Sequence, residues 1–326
     1  MLCILKFNKH NTIWAVKLII AVLCFTFLYK KFKTINFYEL EELISSNIHK
    51  SWYLVAIAFV LFFANWGIEA LKWKLLTKKI IKVSFIKSFL AVMGGVAVSS
   101  FTPNRTGEFA GRMIFLENKL DSGVIALTVF GSINQLLVTL LAGIPGFIFY
   151  LDSAAGFDFN NFSFFTVSML LTATIIIFLF MFNLNKIICW IKNHFYQNKI
   201  LAHISNALLL LSFKDIINVF LLSFLRYSVF LFQYIFLLIF FNINLEFWQF
   251  FLILPSIFLI QTLIPSFLLS EIGIRLSVAI YILAPLGFGE KNIIGASTSL
   301  WVINIVLASA VGVFAILFYK IKNSEL

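Results

Sequence analysis

The chain has 326 residues, of which 61% are apolar and 12% are charged, and its mean hydropathy is +1.00. Soluble domains are on average about 45–50% apolar and about 25% charged, so this composition excludes a water-soluble globular protein. Segments such as TATIIIFLFMF lack the period-2 alternation of a transmembrane β-barrel. The sequence therefore predicts an all-α integral membrane protein, folded as a polytopic helical bundle.

Apolar runs of spanning length, which is about 20 residues, occur at six places. The six predicted spans are 13–29, 51–71, 122–150, 163–183, 215–241 and 293–319. Two further apolar runs, 83–101 and 247–264, each lead to a proline and then to a short helical stretch that carries charges. We expect these runs to form re-entrant helical hairpins over 83–117 and 247–287.

The distribution of basic residues predicts the orientation. If both hairpins return to their starting side, most lysines in loops lie inside, which favours a multi-pass protein of the cell inner (cytoplasmic) membrane with both termini cytoplasmic. The run KKFK at 30–33 is an exception, because this topology places it outside. Residues 1–326 are then one transmembrane domain with two inverted repeats, 51–150 and 215–319.

The net charge of +11 would suggest nucleic acid as a partner of a soluble protein. In a membrane protein it fits the positive-inside rule and anionic lipid headgroups. We therefore expect membrane lipids as partners and no nucleic acid.

The two hairpin turns resemble each other in sequence. The first reads FTPNRTGEFAGRM and the second LIPSFLLSEIGIRL, so each has a proline, then a glutamate, then an arginine four residues after the glutamate. The i,i+4 spacing predicts the ion pairs Glu108–Arg112 and Glu271–Arg275 on helix faces. Such a repeated pattern is typical of inverted-repeat membrane proteins.

Ionisable groups at membrane depth usually face a protein interior or a watery cavity. The pairs could serve only to neutralise themselves and fix the hairpins, or they could line a site for a phosphate-bearing headgroup. For the second hypothesis the candidate substrate-binding residues are Arg105, Glu108, Arg112, Arg226, Glu271 and Arg275.

Small residues and prolines have predicted structural roles. Pro103 and Pro265 end the preceding helices, and Gly107 and Gly273 permit close backbone approach. Gly94 and Gly95 predict a tight helix crossing in the first hairpin.

Other polar residues in the apolar runs have two interpretations. Asn134, Gln135, Gln233 and Gln261 either form interhelical hydrogen bonds or line the same cavity. Glu69 lies close to Lys72, Trp73 and Lys74, a pattern that we interpret as interfacial anchoring.

Motifs of known enzymes are missing from the sequence. It contains no HExxH, Walker A or GxSxG segment, so we predict no catalytic residue, no metal and no cofactor. Two alternatives stay open: a membrane-embedded transferase that uses Glu108 or Glu271 as a base, and a non-catalytic subunit that assists a separate lipid-modifying enzyme.

The segments TPNRTGEFAGRMIFL and IPSFLLSEIGIRLSVAI resemble, in order and spacing, the two conserved segments of the lysylphosphatidylglycerol synthase transmembrane-region family, also called flippase-like proteins. Pro103, Arg105, Gly107, Glu108 and Arg112 match the first segment, and Pro265, Gly273 and Arg275 match the second. The second segment departs from the family pattern, because Glu271 precedes the glycine and Leu276 stands where the family has an acid.

This resemblance implies a helical bundle with two re-entrant hairpins in inverted repeats. It also implies movement of a lipid between leaflets. The chain ends soon after its last predicted span, so we expect it to lack the soluble aminoacyl-transferase domain of the full synthase.

Overall fold

The structure is a computed structural model that describes residues 37–100, 102, 106–116, 121–153, 199–264 and 271–319, with isolated positions between 168 and 189. Every regular element in these ranges is helical, as the sequence predicts. The fold class of an all-α polytopic membrane protein is thereby confirmed.

The helices are numbered here in chain order. They are α1 (Phe37–Thr77), α2 (Phe85–Ser99), α3 (Gly107–Met113), α4 (Ser122–Ser153), α5 (Lys199–Leu209), α6 (Phe213–Phe240), α7 (Phe247–Leu263), α8 (Glu271–Leu283), α9 (Glu290–Trp301) and α10 (Leu307–Phe318). A five-residue π-helical turn, Val302–Val306, joins α9 to α10, so that these two helices form one continuous span. Ser51 has non-helical backbone angles and kinks α1.

Among the described residues, four helical segments are long and apolar enough to cross a membrane. They are Asn47–Thr77, Ser122–Leu151, Phe213–Phe240 and Glu290–Phe318. They correspond to four of the six predicted spans and make this a multi-pass membrane protein. The predicted span 13–29 and the KKFK run lie outside the described residues, and 163–183 is described at isolated positions only.

The first hairpin consists of α2 and α3, and its tight crossing through glycines is confirmed. A Cβ atom on Gly111 would lie 2.5 Å from the carbonyl oxygen of Gly94 and 2.8 Å from Cα of Gly95. Gly107 is similarly confined, because its Cβ would lie 2.9 Å from the carbonyl oxygen of Val98. Small residues therefore let the two helices of this hairpin touch backbone to backbone.

The second hairpin consists of α7 and α8, and here the predicted role of glycine is wrong. A Cβ atom on Gly273 would meet nothing within 4 Å among the described residues. Gly273 lies in the first turn of α8 and faces open space. No close backbone contact with the described residues requires a glycine at this position.

Helices from the first half of the chain pack against helices from the second half. Helix α1 lies along α6, α2 packs against α10, and α7 packs against α4. Each long hairpin helix therefore contacts the final span of the other half of the chain. A two-fold relation between 51–150 and 215–319 would produce these reciprocal contacts. The inverted repeat itself stays a prediction.

Candidate functional site

A buried cluster of charges lies where α1, α3 and α6 meet, and we call it the Glu69 cluster: Glu69, Lys72, Glu108, Arg112 and Arg226. Glu69 Oε1 accepts a hydrogen bond of 2.9 Å from Arg112 Nη2. Glu69 Oε2 accepts one of 3.1 Å from Arg226 Nη1 and lies 2.7 Å from Lys72 Nζ. One carboxylate therefore holds three cations that come from three helices.

The interpretation of Glu69 as an interfacial anchor is wrong, because the residue is only 5% exposed. Phe62, Trp66 and Trp73 are also buried on α1. Spacings of three and four residues place all of them on one helix face. This inward stripe was visible in the sequence and would have placed Glu69 inside the bundle.

The predicted pair Glu108–Arg112 forms within α3, and its arginine is almost fully buried. Arg112 Nη2 donates to Glu108 Oε1 as well as to Glu69 Oε1. The Arg112 guanidinium also lies 5.9 Å from the centre of the Trp73 ring. Because the cluster holds three cations against two carboxylates, it carries a positive surplus within the described structure. Arg105 and Pro103 lie outside the described residues.

The predicted pair Glu271–Arg275 forms on α8 in the second hairpin. Nε and Nη2 of Arg275 donate to Glu271 Oε1 at 3.2 and 3.1 Å. Gln261 on α7 binds the same arginine, because its Oε1 lies 3.5 Å from Arg275 Nη1 and its Nε2 donates to the Arg275 carbonyl at 3.3 Å. These contacts connect the two helices of the hairpin. Pro265 lies outside the described residues.

A cavity of about 530 Å³ opens between α1, α4, α6, the second hairpin and the last span. Its charged lining residues are Arg226, Glu271 and Arg275. Its polar and aromatic lining includes Asn65, Gln135, Thr139, Gln261, Thr262, Asn304, Trp66, Tyr227, Phe230, Phe258 and Trp301. Such a mixture of apolar walls and a few convergent polar groups is typical of ligand sites.

Only some of the predicted site residues line the cavity. Arg226, Glu271 and Arg275 line it, whereas Glu108 and Arg112 are not among its lining residues. Arg112 is instead connected to the cavity indirectly, because Glu69 contacts both Arg112 and Arg226. Arg226 is thus the residue shared by the buried cluster and the cavity.

Arg226 is held on two of its three nitrogen atoms. Its Nε donates to Asn65 Oδ1 at 3.1 Å, its Nη1 donates to Glu69, and its guanidinium lies 5.0 Å from the centre of the Trp66 ring. Its Nη2 makes no hydrogen bond within the described chain. With a fifth of its side chain exposed, Arg226 presents a donor to the cavity.

Sequence reasoning missed Asn65 and Asn304, which lie in apolar stretches without a motif. Both are 2% exposed and both line the cavity. A polar amide at a buried helix position was their one signal, and the same signal did mark Gln233. No group of three or more His, Cys, Asp or Glu side chains suited to a metal ion occurs among the described residues.

The bundle and its charged cavity define a multi-pass membrane protein with a polar site inside an apolar shell. The chain belongs to the family described as the lysylphosphatidylglycerol synthase TM region, whose family model matches residues 14–322. Family membership confirms the resemblance of the two hairpin segments and supports a lipid-related role in the membrane. Comparisons with curated proteins and with solved structures give no match.

Proposed function

We propose that this protein moves a phosphate-bearing lipid between the leaflets of the cytoplasmic membrane, and that the cavity receives the headgroup. The observation that carries the proposal is the presence of two guanidinium groups, Arg226 and Arg275, against one carboxylate, Glu271, in one cavity. Guanidinium groups match phosphate oxygens in both charge and geometry. The membrane lipid is then the partner, and no catalytic residue or cofactor takes part.

The Glu69 cluster supports an anionic ligand. A buried charge is costly unless it is paired, and the cluster has one more cation than carboxylates. Arg226 is the member of the cluster that reaches the cavity. A phosphate placed beside it would offset the surplus, and phosphate binding would therefore be favoured there.

Both hairpins contribute residues to the cavity or to the Glu69 cluster. The second hairpin supplies Gln261, Glu271 and Arg275 to the cavity wall, and the first supplies Arg112 to the Glu69 cluster. In the proposed mechanism the two hairpins admit the headgroup alternately from the two sides, with both chain termini on the cytoplasmic side. The acyl chains stay in the bilayer while the headgroup crosses between the helices.

The test is reconstitution of the purified protein in liposomes that contain trace acyl-labelled phospholipids, with a chemical quencher to report the outer leaflet. Wild type is compared with the double variant Arg226→Gln, Arg275→Gln and with the control Lys78→Gln, Lys214→Gln, which removes two exposed lysines. We expect wild type and control to accelerate exchange of a phosphate-bearing lipid. The arginine variant should be slower by about tenfold or more, because charge-assisted hydrogen bonds are lost.

Two outcomes would contradict the proposal. A folded double variant that exchanges lipid at the wild-type rate would remove the arginines from the headgroup site. If wild type exchanges none of the labelled phospholipids and the double variant loses only thermal stability, the charges are structural. A subunit that assists a separate lipid-modifying enzyme would then explain the protein better.

A further inference from the structure

Three buried amide side chains connect a backbone carbonyl to Arg226. Gln233 Nε2 donates to the carbonyl oxygen of Ala58 at 2.7 Å, and Asn304 Nδ2 donates to Gln233 Oε1 at 2.8 Å. Asn65 Nδ2 donates to Asn304 Oδ1 at 2.9 Å, and Arg226 Nε donates to Asn65 Oδ1 at 3.1 Å. We call this series the amide chain.

The direction of every hydrogen bond in the amide chain is fixed from both ends. A backbone carbonyl can only accept, so Gln233 must turn its amino group toward Ala58. A guanidinium can only donate, so Asn65 must turn its oxygen toward Arg226. Asn304 then has one allowed orientation, because a reversed amide would oppose donor to donor and acceptor to acceptor.

The side chains of the amide chain come from α1, from α6 and from the π-helical turn of the last span. Asn65 lies on α1, Gln233 lies on α6, and Asn304 lies within Val302–Val306. Asn304 Nδ2 also donates to the carbonyl oxygen of Leu300 at 3.2 Å, which holds its amide in place. Short π-helical turns inside helices occur frequently at functional sites.

We infer that Gln233 and Asn304 are positioning residues for Arg226, an inference that rests on the proposed function. The amide chain engages Nε and Glu69 engages Nη1, so the guanidinium plane is fixed at two points. Nη2 is thereby directed to the headgroup phosphate. A headgroup that presents a phosphate oxygen at this point is bound, and one that lacks it leaves the donor unpaired.

A purely structural role would predict something different. If the amides only satisfy one another, replacing Gln233 changes stability and leaves the environment of Arg226 unaltered. If the chain positions Arg226, a change at Gln233 reaches the Nε atom of Arg226 through two intervening amides. The environment of this one nitrogen atom separates the two roles.

The chain has few arginines, which makes this nitrogen observable. They are Arg105, Arg112, Arg226 and Arg275, so protein labelled with [15N]arginine gives one Nε signal from each. The signal lost in Arg226→Lys identifies that of Arg226. In Gln233→Met and in Asn304→Leu we expect this signal to shift and its proton to exchange faster with water.

Thr298→Val is the matched control. Thr298 is 1% exposed in the last span, and its hydroxyl has no partner among the described residues. The control removes a buried polar group close to Asn304 in the chain but leaves the amide chain intact. It should keep the Arg226 signal at its wild-type position.

Lipid exchange provides the second measurement. In Gln233→Met the lipid fraction that gives half-maximal exchange should rise about fivefold, the effect expected from one weakened hydrogen bond. The maximal rate should change less. An unaltered Arg226 signal in folded Gln233→Met and Asn304→Leu would overturn the inference.

The two proposals fail in different ways. If the Arg226 signal moves as expected but exchange is the same in wild type and in the double variant Arg226→Gln, Arg275→Gln, the amide chain does position Arg226. The inference about positioning then holds, and the proposed headgroup site is wrong. Because the nitrogen signal is independent of transport, each result counts against one proposal alone.

Discussion

Arg112 lies 43 residues after Glu69 in the chain, and its Nη2 donates a hydrogen bond of 2.9 Å to Glu69 Oε1. The other oxygen of the same carboxylate accepts from Arg226, which lines the cavity. The position of the first hairpin and the chemistry of the cavity are therefore linked through one buried side chain.

Replacing Glu69 with glutamine should destabilise the protein strongly. The substitution keeps the shape but leaves Lys72, Arg112 and Arg226 with Glu108 as their one carboxylate in the cluster. Removal of one member of a buried ion pair costs about 3–5 kcal/mol, so the free energy of unfolding should fall by about that amount. Denaturant titration in detergent measures it, with the exposed Glu41→Gln on the same helix as control. Equal effects of the two substitutions would contradict a central role for Glu69.

Replacing Lys72 with methionine should be tolerated. Lys72 is 2% exposed, and Arg112 and Arg226 still pair with Glu69 after its removal. The substitution also removes the cost of burying an ammonium group, so the free energy of unfolding should change by about 1 kcal/mol or less. The same titration checks it. A loss as large as that of Glu69→Gln would show that the cluster needs all three cations.

The two hairpins should respond in opposite ways to alanine. In the first, Gly111→Ala places a methyl group against the Gly94 carbonyl, and such overpacking costs about 1–3 kcal/mol. In the second, Gly273→Ala meets open space in a helix and should stabilise the protein by up to about 1 kcal/mol. Thermal unfolding of both variants in one detergent measures the contrast. A destabilising Gly273→Ala would mean that its surroundings are crowded.

Asp121, which precedes α4, should contribute to acid sensitivity. Partial burial raises the pKa of its carboxyl, but hydrogen bonds from His203 and from the backbone amides of Val124 and Gly123 lower it further than burial raises it, so the net pKa lies below its ordinary value. A depressed pKa stabilises the folded chain above the ordinary value, and the contribution is lost as the pH falls through the folded pKa.

Unfolding measured from about pH 6 down to about pH 3 should therefore show a loss of stability that begins near pH 4. Asp121→Asn should be less stable than wild type at the upper end of this range. The difference between the two proteins should shrink toward the lower end. A difference that stays constant over the whole range would mean that the carboxyl charge has no part in it.

The sequence by itself determined the class of fold and the local ion pairs. Length and apolarity define where helices span, since about 20 apolar residues are needed to cross the bilayer. The pairs Glu108–Arg112 and Glu271–Arg275 follow from spacing alone, because residues four apart in a helix are neighbours. The glycine crossing of the first hairpin was predictable for a different reason, because small residues allow two helices to pack closely.

Tertiary structure alone decided which of these groups meet. Glu69 was misread because two of the three cations that surround it, Arg112 and Arg226, come from other helices. The amide chain was invisible, because Asn65 and Asn304 are 239 residues apart and become partners only when α1 packs beside the last span. Hydrogen bonds act over about 3 Å, so partners on separate helices are fixed by how those helices pack.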